Sequence, residues 1–239
     1  AELEKVWKEE KAALQGAKEL AEAASRAKTR YVAGMTHELR TPLNSILGYT
    51  QILLRRGDLP PPVREAVATV HHSGEHMHAL IDGLLDLARI EAGRLTLDPA
   101  PLPLPAFIDD LVRMVRPQAQ ARQLDFRLET SGRVPEWVNA DAKRLRQILI
   151  NLLANAVRYT RQGSILVTAR RRGGSVELAV RDSGIGIPAE DLPRLFEAYF
   201  QARNAGQDPA RLRGFGLGLA IVQRLAGLLG TEVQVQSSL

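Results

Sequence analysis

The chain has 239 residues, 45% apolar and 25% charged, the composition of a folded globular protein with one large domain or two modest ones. It has no cysteine, which excludes disulfides, thiolate metal sites and a cysteine nucleophile. No apolar run approaches the ~20 residues of a membrane-spanning helix, and the charged start AELEKVWKEEKAAL is not a secretory signal.

The net charge of +5 comes from 26 Arg and 6 Lys against 27 acidic residues. The Arg residues are scattered and aromatics are only 5%, so no stacking platform for nucleic acid is visible. The basic balance reads as an ordinary solvated surface.

Residues 1–30 place Leu3, Val6, Ala13, Ala17, Leu20 and Ala24 at spacings of three, four or seven, a narrow coiled-coil seam weakened by Ala and Gly16. No break follows until Gly57-Asp58-Leu59-Pro60-Pro61-Pro62, so the helix is expected to run to about Arg56. Met35, Leu39, Ile46 and Leu53 set its core face. A second helix is predicted from about Val63 to Gly93, with an apolar face that includes Val67, Val70, Met77, Ile81, Leu84 and Leu85. One such hairpin cannot bury both faces. Two copies can, as a four-helix bundle, so a homodimer through residues 1–93 is expected.

Beyond Gly93, Pro99, Pro101, Pro103 and Pro105 mark a linker or edge segment. Helices are predicted over 107–122, 141–159 and 217–229. Strands are predicted over 124–130, 164–170, 176–180 and 232–236, the middle two joined as a hairpin by Arg-Arg-Gly-Gly. Helices and strands mixed in one segment argue an α+β sandwich, with helices on one face of a sheet.

Four motifs carry chemistry. In His37-Glu38-Leu39-Arg40-Thr41-Pro42, His37 lies ~200° round the helix from both Met35 and Leu39, on the opposite face. Imidazole is a nucleophile near neutral pH and Glu38 beside it can accept a proton. Pro42 leaves the Glu38 carbonyl without its helical donor, which predicts a bend one turn after His37. Asn151 and Asn155 sit one turn apart with Arg158 a further turn on; two amides on an apolar helix suit Mg2+ reached through oxygen and water, with a cation nearby for phosphate. Asp182-Ser-Gly184-Ile-Gly186 follows a strand, where a carboxylate can accept from an adenine amino group beside close-packed glycines. Gly214-Phe-Gly216-Leu-Gly218 opens a helix, an anion-binding position. It is neither a P-loop nor a dinucleotide fingerprint. The polar stretch 200–213 before it reads as a mobile lid. Each motif alone equals a common bland feature: a surface His–Glu pair, solvent-facing Asn residues, an Asp-Gly turn, a flexible loop. His72 and His76, at i and i+4 within the group His71, His72, His76 and His78, could bind a metal, but no carboxylate completes a site and surface positions are the favoured reading.

Taken together and in order, the motifs resemble the kinase core of sensor histidine kinases of two-component systems, over roughly residues 25–239. His37 to Pro42 looks like the H box, Asn151 to Tyr159 the N box, Asp182 to Gly186 the G1 box, Phe196-Glu197-Ala198-Tyr199-Phe200 the F box, and Gly214 to Gly218 the G2 box. The resemblance implies a signalling coiled coil (1–30), a dimerisation and phosphotransfer hairpin (31–93), a linker and first strand (94–106), and an ATP-binding domain of the gyrase, chaperone and histidine kinase type (107–239), cut before its last strand. It also implies roles. His37 would be the phospho-acceptor, Glu38 its general base, and Thr41 the residue that positions water for phosphatase activity. Asn155 would hold Mg2+ with Asn151 supporting, Arg158 would contact phosphate, Tyr159 would stack on adenine and Asp182 would bind its amino group. Gly184, Gly186, Gly214, Gly216 and Gly218 would shape the nucleotide site.

The implied cofactors are ATP and Mg2+. The implied partners are a second copy, a response-regulator receiver domain and an upstream sensor module. The implied location is the cytoplasmic portion of a protein that can carry a membrane anchor. Two departures stand out. Phe215 replaces a common Thr or Ser, and Gln201 follows Phe200 where a basic residue is common, leaving Arg203 as the candidate substitute. The competing readings are an ATPase of the same fold without an acceptor histidine, and a degenerate kinase that only dimerises and binds a partner. The H box on a dimerising helix argues against the first. The complete acceptor, Asn pair and Asp182 argue against the second.

Overall fold

The computed structural model describes residues 2–132, 134–203 and 216–239; many side chains before Gly34, and those of His37 and His76, lie outside the described residues. Gly214, Phe215 and residues 204–213 of the expected lid also fall outside them. The chain divides into two compact units, Ala1–Leu95 and Thr96–Leu239.

The first unit is a hairpin of α1 (Glu2–Arg55) and α2 (Pro61–Glu91). Helical structure continues through Pro42 to Arg55. Pro61 and Pro62 start α2, where their missing N–H groups have no helical partner to lose. Arg64 closes the turn by donating to the carbonyls of Leu54 and Arg56.

The face that α1 turns to α2 differs from the predicted one by one residue. Thr36, Leu43 and Thr50, seven apart, are buried, whereas Met35, Leu39 and Ile46 are exposed. Three contacts fix the register of the hairpin. Leu47 packs on Gly74, where an added Cβ would stand 2.9 Å from the Leu47 Cδ2. Thr50 Oγ1 lies 2.8 Å from His71 Nδ1. Arg40 donates to Asp82 at 2.6 Å. The stripe read from the sequence is real, but it faces away from the chain's own second helix.

The second unit contains β1 (Ala100–Pro103), α3 (Leu104–Ala121), β2 (Asp125–Ser131), β3 (Trp137–Ala140), α4 (Ala142–Tyr159), β4 (Ser164–Arg172), β5 (Ser175–Asp182) and α5 (Gly218–Leu228). β2 runs parallel to β4, and β4 pairs antiparallel with β5 in a three-stranded sheet. Ile165, Val167 and Ala169 alternate inward on β4 and meet Phe107, Ile108, Leu111, Val112 and Val115 of α3 and Leu149, Leu153 and Val157 of α4. Leu166 and Thr168 alternate onto the opposite face.

β1 and β3 form a separate antiparallel pair, and β3 was not foreseen from the sequence. The predicted strand at 232–236 is absent: Glu232 to Leu239 form no ladder, although Ser237 Oγ accepts from the Ile187 amide at 2.9 Å. Alternating Val233 and Val235 favour an extended chain, but a strand exists only when an edge pairs with it.

Candidate nucleotide site and acceptor helix

α4 is the spine of the candidate site in the second unit. Asp141 caps its first turn, accepting from the Arg144 amide at 3.0 Å and, through its other oxygen, from the Asp98 amide at 3.0 Å. Burial alone would raise the Asp141 carboxyl. The amides of Asp98, Arg144 and Lys143 and the Arg144 charge outweigh burial and hold it below the usual carboxylate value.

The last carbonyls of α4 are all taken. Ala156 accepts from Thr160 Oγ1 at 2.7 Å, Val157 from Arg122 at 2.9 Å, Arg158 more weakly from the same guanidinium at 3.5 Å, and Tyr159 from the Ile185 amide at 3.3 Å. That last bond docks the Asp182–Gly186 loop on the end of the helix.

Topology explains why the two motifs meet. α4 ends at Tyr159 and the chain turns at once into β4. β5 returns antiparallel, so Asp182 finishes opposite Ile165, beside the start of β4. Asp182 Oδ1 accepts from the Gly184 amide at 2.9 Å; its second oxygen makes no hydrogen bond among the described residues. A Cβ on Gly184 would stand 2.7 Å from the Tyr159 carbonyl, so this position admits only glycine. Gly186 lies at positive φ against the Ser238 backbone.

The middle of α4, about two turns back from Tyr159, meets the second glycine motif. A Cβ on Gly218, the first residue of α5, would lie 3.4 Å from Asn151 Oδ1. Gly216 has φ +69° and accepts from the Tyr199 amide at 2.9 Å, with the Phe200 carbonyl 2.5 Å from where its Cβ would be. From Asn151 to Tyr159 α4 rises about 12 Å, the reach of a nucleotide from base to phosphates. Asn155 stands between. Both amides are half-buried and have no hydrogen-bond partner among the described residues.

The donor set fits Mg2+ that arrives on phosphate. Neutral amide oxygens suit a hard cation but supply no charge, and no cluster of three His, Cys, Asp or Glu stands ready among the described residues. Arg158 and Tyr159 are half-buried at the Asp182 end. Arg203, the candidate phosphate cation, is already held by Glu190 at 2.9 Å and Asp191 at 3.5 Å.

In the hairpin, Glu38 and Thr41 are exposed on α1, one and four residues after His37. Arg40, on the same stretch, is tied to Asp82, whose other oxygen lies 3.2 Å from His78 Nδ1. His71 and His72 face Glu75 at 3.6 and 4.0 Å. No helix among the described residues is long and apolar enough to cross a membrane.

Residues 27–93 match the family described as the His Kinase A (phospho-acceptor) domain, and residues 140–239 match the histidine kinase-, DNA gyrase B- and HSP90-like ATPase. The chain belongs to the sensor histidine kinase family. Among its relatives is the signal transduction histidine-protein kinase BarA of Escherichia coli, 37% identical over 226 residues, covering 92% of this chain and 24% of BarA. The chain spans about a quarter of the length of the curated relatives it matches. Among solved structures, full-length ShkA in complex with AMPPNP superposes with TM-score 0.67 at 34% identity, over 84% of this chain and 41% of that one. The histidine kinase ThkA in complex with the response regulator TrrA gives TM-score 0.50 at 25% identity, over 71% and 49%. The histidine kinase family thus accounts for both units, one by each domain match.

Proposed function

We propose that this chain is the core of an ATP-dependent protein-histidine kinase acting in two-component signalling. The observation that carries the reading is the alignment along α4 of two unpartnered amides, with one glycine motif beside Asn151 and the other at Tyr159, in a chain whose other unit bears His37 on a phospho-acceptor helix.

The nucleotide lies along α4. Asp182 accepts from the adenine amino group through its free oxygen and Tyr159 stacks on the base. Gly184 and Gly186 let the loop close on the Tyr159 carbonyl and the Ser238 backbone, which shapes the adenine end of the site. Gly216 and Gly218 face the phosphates, and Arg158, one helical turn from Asn155, adds positive charge. Asn155, with Asn151 supporting, would hold Mg2+, which would neutralise phosphate charge there. Such transfer depends on positioning and charge more than on covalent machinery.

In the acceptor step an imidazole nitrogen of His37 attacks the γ-phosphorus, ADP leaves, and Glu38 takes the ring proton. The phosphoryl group then passes to an aspartate of a response regulator. In the separate phosphatase reaction, Thr41 orients water for attack on the regulator's phospho-aspartate, releasing inorganic phosphate and the free carboxylate. ThkA, solved with TrrA, shows that a relative of this fold binds such a partner. Residues 1–30 form the coiled coil that links the core to an upstream sensor module, in the cytoplasmic part of the protein.

The hairpin dimerises as a four-helix bundle. Its second apolar stripe, Met35, Leu39, Ile46, Tyr49 and Ile52 on α1 with Val63, Val70 and Met77 on α2, is exposed in a single chain and is what a second copy covers. The test of the function is incubation with γ-labelled ATP. Wild type takes up label, whereas His37→Ala and Asn155→Ala do not. Label in His37→Ala equal to wild type refutes the acceptor assignment, and no label in wild type refutes the kinase reading.

A further inference from the structure

Asp191 is a buried carboxylate that the nucleotide reading does not use. It is 2% exposed, a position that costs free energy unless the charge is paired and hydrogen-bonded. Among the described residues its side-chain partners come from one residue. Oδ2 accepts from the Arg203 amide at 2.9 Å, and Oδ1 lies 3.5 Å from Arg203 Nε. Glu190 takes the other arm of the same guanidinium at 2.9 Å.

The turn that carries Asp191 is itself fixed. The Asp191 amide donates to Pro188 at 2.9 Å and its carbonyl accepts from Arg194 at 3.1 Å. This turn directly follows the Asp182–Ile187 loop. The segment it grips, Tyr199–Arg203, is pinned at its other end, where the Tyr199 amide donates to the Gly216 carbonyl and the Phe200 carbonyl occupies the space of an absent Gly216 Cβ. Gly216 leads into Gly218, which contacts Asn151. Asp191 therefore ties the loop at the adenine end of the site to the irregular segment that backs the glycines at its phosphate end.

We infer that Asp191 is a positioning residue of the nucleotide site, acting through the Arg203 amide to hold the 199–203 segment against Gly216. The inference rests on the nucleotide site proposed above. It also assigns Arg203 a different part from the phosphate contact that its position suggests. The guanidinium is engaged by two carboxylates and the essential donor is the main-chain N–H.

The test is calorimetric titration of the full chain with a non-hydrolysable ATP analogue, reading dissociation constant and stoichiometry separately. A residue that merely supports the fold changes the fraction able to bind; a positioning residue changes the affinity of every folded molecule. Arg203→Ala keeps the N–H and is expected to bind within about twofold of wild type. Arg203→Pro deletes that donor at an exposed position, leaves the core untouched, and is expected to bind about tenfold more weakly at unchanged stoichiometry. Asp191→Ala is expected to match Arg203→Pro, and Asp191→Asn, whose amide oxygen still accepts, to fall nearer wild type. Wild-type affinity in both Arg203→Pro and Asp191→Ala, or a loss in Arg203→Ala as large as in Arg203→Pro, overturns the inference while leaving the nucleotide site standing. Absence of binding in wild type overturns both.

Discussion

In the α/β unit the large side chains of α3 and α4 go inside: Phe107, Ile108, Leu111, Leu149 and Leu153 are all nearly fully buried by their own chain. In the hairpin, Tyr49 is 72% exposed and Ile52 61%, and they continue the stripe that Met35, Leu39 and Ile46 begin. The α/β unit has one apolar surface per helix and a sheet to receive it. The hairpin has two on α1, offset by one residue, and a single chain satisfies only the Thr36, Leu43 and Thr50 set. The α/β unit thus buries its apolar faces within one chain, whereas the hairpin leaves one of its own exposed.

The largest effect that separates the two regions lies on the acceptor helix. Glu38→Ala is expected to slow autophosphorylation by ~10²–10⁴-fold, the usual contribution of a general base, with ATP affinity unchanged because the α/β unit is untouched. Thr41→Ala should keep autophosphorylation and lose phosphatase activity toward the phosphorylated regulator. Rates of both half-reactions for both variants decide this. Equal loss of autophosphorylation would make Thr41 a support of the helix near Pro42.

The open stripe comes next. Charges introduced by Ile46→Asp with Val70→Asp would be buried in the bundle, a cost of about 3 kcal/mol or more, or a hundredfold in the dimer dissociation constant. Light scattering over a dilution series measures it. The wild-type hairpin persisting as a folded monomer at micromolar concentration would remove the distinction between the units.

On the other unit, Asp182→Asn keeps the shape of the side chain but can present donors to the adenine amino group. About tenfold weaker ATP binding by calorimetry is expected, with dimerisation unchanged. Unaltered affinity would show that the free oxygen of Asp182 is not the base contact.

The smallest effect concerns the cap of α4. Asp141→Ala should destabilise the α/β unit by ~1 kcal/mol, read by denaturant unfolding. Because the folded carboxyl is held below its usual value, its stabilisation is present above the ordinary carboxylate pKa and is lost as pH falls through the folded one. The gap between wild type and Asp141→Asn should therefore shrink on the acid side of pH ~4. The hairpin melting transition should not respond.

Much of this was legible in the sequence because the signals were local and chemical. Asn151 and Asn155 are conspicuous on an apolar helix, Asp182 ends a strand, and the proline run after Gly57 stops α1. What the sequence hid depended on pairing at a distance. β3, Trp137–Ala140, is four residues long and shows no strand pattern; a first strand was expected within 94–106, but its pairing with β3, Ala100 opposite Ala140, exists only in the fold. The 232–236 segment has the alternation and lacks a ladder. The one-residue offset on α1 arose because two adjacent stripes share the same three-four spacing, and spacing alone does not say which of them faces α2. Asp191, in Pro-Ala-Glu-Asp-Leu-Pro, looks like loop filler until its burial is seen.

The division of labour between the units is tested most directly by mapping the label. The full chain is incubated with γ-labelled ATP, digested under conditions that preserve phosphoramidates, and the labelled peptide is sequenced by mass spectrometry. A single modified residue is expected, His37, with label that is stable in alkali and lost in acid. Label on a hydroxyl or carboxylate side chain, or on a residue of the α/β unit, would contradict it.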